Sequence, residues 1–146
     1  HDALPISAFL KARGVADLNS FAFPFGASNL ASKKLLASSG LALRGVKPGL
    51  NRGHADLNML RACGLQDNHG GTLRALEDLE DLSAGDGWLI IFTHDVREAP
   101  SPWGVTPDDY EHLLQAVQQS GSEVVTVGDM VKRLGADSEA PVREAA

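Results

Sequence analysis

Residues 88–92, WLIIF, form an unbroken apolar run that stops on Thr93, His94 and Asp95. A strand apolar on both faces belongs in a parallel sheet or barrel covered by helices. Upstream, SFAFPFG (Ser20 to Gly26) reads as a short strand closing on a tight turn. Ser28 or Asn29 caps a helix through Ser38 with Leu30, Leu35 and Leu36 on its apolar side, and Gly40 ends it. LALRGV (Leu41 to Val46) reads as a second strand, and KPGLNRGHADLN as a loop built on Pro48, Gly49, Asn51 and Gly53. MLRACGL fits a strand or one helical turn, with strand favoured. Leu73, Leu76, Leu79 and Leu82 recur at helical spacing, with Glu77, Asp78, Glu80 and Asp81 turned away from them. Those carboxylates therefore read as a solvated helix face rather than acid–base machinery. Gly85 and Gly87 punctuate the helix end. TPDDYEHLLQAVQQSG opens a further helix, with Thr106 as N-cap, Pro107 first, Asp108 and Asp109 in the first turn, and Tyr110, Leu113, Leu114 and Val117 as its stripe. SEVVTV then predicts a strand, GDMVKRLG a short helix, and residues 135–146 a disordered tail. With no internal repeat, the order of elements predicts an α/β fold with parallel pairing.

Composition narrows the choices. A chain of 146 residues is the size of one domain and can bury a core. Its net charge of -6, without a dense Lys/Arg cluster, argues against nucleic acid or an anionic membrane as partner; a small or neutral ligand fits better. The one cysteine, Cys63, has no disulfide partner and reads as a buried structural thiol. No apolar stretch reaches the roughly 18 to 20 residues of a bilayer span. The opening HDALPI is also what a common sequencing-adapter end encodes in frame, so residues 1–6 are expected to be an artefact on an incomplete reading frame. On that expectation, His1 and Asp2 are not a metal-ligand pair.

Polar residues at the carboxyl end of a buried parallel strand face the crevice where ligands bind. Thr93, His94 and Asp95 occupy one such end; Pro24, Phe25 and Gly26 occupy another. A histidine there can exchange a proton near neutral pH, or it can bond backbone and cap the strand. A His-Asp phosphohydrolase is disfavoured, because that pair usually sits in helical bundles. The GxSxG elbow, the P-loop and the dinucleotide fingerprint are absent.

Taken together, FAFPFG, LRGVKPGLNRG, GWLIIFTHDV and PSPWGVTPDDYEHLLQAVQQSGSEVVTVGDMV closely resemble the C-terminal part of a polysaccharide deacetylase (NodB-like) domain, from about Phe21 to Leu134. The resemblance implies the C-terminal part of a distorted (β/α) barrel over residues 7–134, and a parent protein that removes N- or O-acetyl groups from a carbohydrate polymer. It also implies a divalent metal, zinc by preference, held by one Asp and two His, with a second Asp activating water. In PFG, the Phe25 backbone N–H matches the family's oxyanion donor, flanked by Pro24 and Gly26 in the substrate site. The family's Arg falls at Ala22, with Arg44 a candidate substitute. In FTHD, Phe92 matches the residue lining the acetyl pocket, and His94 the general acid. Thr93 and Asp95 would line the same site, though Asp95 could instead set the turn. Trp103 could stack on a sugar ring or anchor its loop. Asn51 could reach substrate, but stabilising its turn is the favoured role. His54, His69 and His112 match no motif and read as solvated or capping side chains.

The family's Asp-Asp pair and His-x-x-x-His run do not occur ahead of FAFPFG, and Asp108–Asp109 lie after the His94 motif on a helix. The expectation is therefore a gene fragment, inactive alone and with no metal of its own, cut from a barrel of roughly 250 residues. The alternative is a non-catalytic carbohydrate-binding module on the same fold. In both cases the expected partner is an acetylated carbohydrate.

Overall fold

The computed structural model describes residues 5–15, 18–66 and 70–138. The chain is mixed α/β, with helices α1 (Pro5–Lys11), α2 (Leu30–Ala37), α3 (Gly71–Ser83), α4 (Pro107–Ser120) and α5 (Val127–Ser138). Strands β1 (Ser20–Ala22), β2 (Ala42–Arg44), β3 (Cys63–Gly64) and β4 (Ile91–Phe92) are short. β1 pairs with β2 and β3 with β4, both in parallel. A parallel bridge from Arg44 to Leu60 links the two pairs, so strand neighbours in space follow chain order. The described strands form no closed barrel.

Side chains divide between two faces by the strand period of two. On one face Leu41 and Leu43 pack with Phe23 against Leu36 of α2. Cys63 and Leu65, with Leu89 and Ile91, continue that face beneath Ala75 of α3 and Leu113 of α4. Alternate residues Ala42, Ala62, Ile90 and Phe92, with Leu60, face the other way and meet Val127 and Val131 of α5. This is why 88–92 lacks polar alternation: both of its faces are covered.

Local chemistry sets the helix starts. Asn29 caps α2 through a reciprocal capping box with Ser32. Thr106 accepts from the Asp109 N–H at 3.2 Å to start α4, with Pro107 in the first turn. Asp108 and Asp109 are thus helix-opening residues.

Several expectations need correction. SEVVTV forms no strand: residues 122–126 are irregular, and Val124 is exposed. A β-prone sequence needs a ladder partner to become a strand, and among the described residues this one is paired with none. Leu30, Leu35, Leu73 and Leu114 point to solvent, because each helix buries a narrower stripe than its leucines suggest. Asp78 is not on the solvated face; it is half-buried, and its Oδ2 is buried without a hydrogen-bond partner. Helix α1 was not signalled by the pattern. Helix α5 continues to Ser138, past the Leu134 boundary; His69, and 139–146 of the expected tail, lie outside the described residues.

Candidate functional site

The ends of β1, β2 and β4 open onto a cleft of about 490 Å³. Ala22, Arg44 and Phe92 fall on one sheet face by the alternation of their strands, and His94 follows two residues beyond Phe92. With Pro24, Phe25 and Trp103 they line the cleft. Two strand ends distant in sequence therefore converge, and Trp103 joins them from the loop after β4.

Pro24–Gly26 makes a single 3-10 turn, in which Phe25 adopts φ 55°, ψ 14°. This left-handed conformation is unfavourable for a residue with a Cβ. The turn's hydrogen bonds run from Gly26 N–H to Phe23 O and from Ala27 N–H to Pro24 O, and the Phe25 N–H takes part in neither. Phe25 as a residue is 99 % exposed. Gly26 has φ 67°, and a Cβ there would collide with the Val46 side chain, so the turn needs glycine.

Arg44 sits opposite Ala22 in the β1–β2 register. Its guanidinium carbon lies 4.6 Å over the Phe92 ring, and its Nη1 donates to Gly45 O at 3.1 Å. Partial burial lowers its pKa, and among the described residues lining the cleft it is the only permanently charged side chain. His94 is exposed and meets Phe92 edge to face, with ring centroids 6.3 Å apart.

Thr93 and Asp95 have other work. The Thr93 hydroxyl lies 3.3 Å from Leu65 O and 3.4 Å from Asp95 O, and Thr93 lines a separate groove beside α4. Asp95 accepts from the Ser101 hydroxyl at 2.7 Å and the Ser101 N–H at 3.1 Å, and pairs with Arg97 at 2.7 Å. The Ser101 bonds, then Arg97, hold its carboxyl below the usual range. Asp95 thereby folds the loop back so that His94 N–H reaches Trp103 O at 3.4 Å. Of its two readings, the turn-setting one describes its contacts.

Asn51 is buried and fully engaged with backbone. Its Nδ2 donates to Arg61 O and Trp88 O, and its Oδ1 accepts from Arg61 N–H at 2.9 Å. It staples the 47–61 loop to the sheet. His54 and His112 are exposed and outside the cleft. Cys63 is 1 % exposed, its thiol pushed up to about 11 by burial and then by the Asp78 carboxylate. It has no nucleophilic character at neutral pH. Among the described residues, no three His, Cys, Asp or Glu side chains converge to hold a metal, so these residues do not fit a divalent metal site. No described helix is long and apolar enough to cross a membrane.

Strand-end reasoning alone did not reach Arg44, which the family resemblance offered as a substitute at this place; the register against Ala22 brings it to the cleft. No protein-family profile, curated protein or solved structure matches this chain.

Proposed function

We propose that this chain is the C-terminal portion of a carbohydrate deacetylase domain, the hydrolase class its motifs resemble, and that its cleft receives an acetylated sugar. The observation that carries this is the meeting of Phe25, Phe92, His94 and Trp103, residues from three separate motifs, around one cavity. Chain-order parallel pairing is also how the wall of a singly wound (β/α) barrel is built.

Under this function His94 protonates the leaving nitrogen or oxygen, and the Phe25 N–H holds the oxyanion. Phe92 borders the acetyl methyl and Trp103 offers a ring face to the sugar. Arg44 stands in for the family arginine displaced by Ala22. Activation of water and any divalent metal, zinc included, would come from residues this chain does not contain. The test is acetate release from an N-acetylglucosamine oligomer by the complete gene product. Release abolished by chelation and reduced about 100-fold or more by His94→Ala supports the proposal. A complete gene product that carries the missing motifs and releases nothing overturns it.

A non-catalytic sugar-binding module is the second reading, favoured by the exposed aromatic residues Phe25 and Trp103. It predicts oligosaccharide binding by the complete gene product, with no turnover.

A further inference from the structure

Beside the aromatic cleft lies a second cavity, of about 570 Å³, formed largely by the 47–61 loop. Val46 lines both cavities, and Gly26, next to Phe25, lines the second. A ligand longer than one sugar could therefore run from one to the other.

The second cavity is cationic within a chain of net charge -6. Lys47, Arg52 and Arg61 line it together with His54, against one carboxylate, Asp56, among the described residues. That carboxylate is already neutralised by Lys33, at 2.5 Å. Arg61 is held in place: its Nη1 donates to Pro48 O at 3.0 Å, and it lies against Gly49. Arg52 is likewise tethered, donating to Asp81 O on α3. Both bonds are to neutral carbonyls, which leave the positive charge unspent. Asp78 of α3 feels Arg74 more strongly than Arg61. The loop that carries these cations is fastened by the buried Asn51, so they are displayed on a fixed backbone.

We propose that this cavity binds a carboxylate-bearing sugar adjoining the acetylated unit in the cleft, making the substrate an acidic acetylated polysaccharide. The inference rests on the carbohydrate reading of the cleft. Guanidinium groups match carboxylates in shape as well as charge, and pre-positioned ones lose little entropy on binding.

The test compares two tetrasaccharides binding to the chain by calorimetry: alternating glucuronate and N-acetylglucosamine, and N-acetylglucosamine alone. The acidic one is expected to bind about tenfold more tightly at low salt. That advantage should shrink in Lys47→Gln and Arg61→Gln, both at exposed positions, and as salt is raised. Trp103→Ala should weaken both ligands. Equal binding of the two, with Trp103 still required, overturns the acidic subsite and leaves the cleft's function standing. Acidic binding indifferent to Trp103→Ala and competed by inorganic phosphate makes the cavity a separate anion site, which also overturns the shared ligand. Binding of neither removes the carbohydrate reading and this inference together.

Discussion

Asn51 shows how one side chain can replace a strand partner. It supplies a donor to Arg61 O and Trp88 O and an acceptor to Arg61 N–H, part-buried bonds that add to the backbone pair between Asn51 and Trp88. Asn51→Ala should therefore cost about 1 to 2 kcal/mol, read as a lower urea midpoint, since the Arg61 N–H and C=O lose their partner while Trp88 O keeps the Asn51 N–H. Cys63 gives a pH signature. Its thiol rises from 9.0 to about 11 on folding, so the folded state favours the neutral form. That contribution is complete below pH 9 and is lost as pH rises from 9 towards 11. Cys63→Ser should flatten the fall in stability across that window, measured by urea unfolding at pH 8 and pH 10.5. Phe25 is the opposite case, a side chain kept despite its backbone. Phe25→Gly should relieve the left-handed strain by about 1 kcal/mol while weakening sugar binding in the cleft. A variant that loses stability would show that the exposed ring supports the fold instead.

At the scale of elements, the starts of α2 and α4 were legible because side-chain caps depend on neighbours in sequence. Thr106-Pro107-Asp108-Asp109 is a complete local signal, and α4 begins there. Thr106→Ala is expected to cost about 1 kcal/mol in a urea titration, the usual worth of an N-cap. The strands β1, β2 and β3 fell where β-prone runs met turn residues. SEVVTV failed because strand formation depends on a partner remote in sequence, which no local pattern records. The leucine stripes misled for a related reason: Leu73 and Leu79 have the same periodicity, but Leu73 is exposed and Leu79 buried. The cleft was partly legible. Pro24, Phe25, Phe92, His94 and Trp103 meet there, whereas Thr93 is claimed by Leu65 O and Asp95 by Ser101. Residues next to a site in sequence alternate in direction along an extended chain, so half of them leave it.

For the molecule as a whole, the decisive feature is α5. Helices α2, α3 and α4 cover one sheet face, and α5 alone brings Val127 and Val131 to the other, over Ala42, Leu60, Ala62 and Ile90. Asn19 Nδ2 donates to Gly128 O at 3.3 Å and ties the helix to the start of β1. The contact joins the last helix to strands from three earlier parts of the chain, so it should unfold with the sheet rather than fray separately. A carboxylate placed in that contact would be desolvated among side chains that offer it no donor. Val131→Asp is therefore expected to lower stability by about 2 kcal/mol or more and to raise binding of a hydrophobic dye by exposing the inner face. Leu134→Asp, on the same helix at an exposed position, supplies the control for one added negative charge. If both variants unfold at the wild-type urea midpoint, α5 does not hold the sheet. The face carrying Ala42, Leu60, Ala62 and Ile90 would then have to be covered by another element.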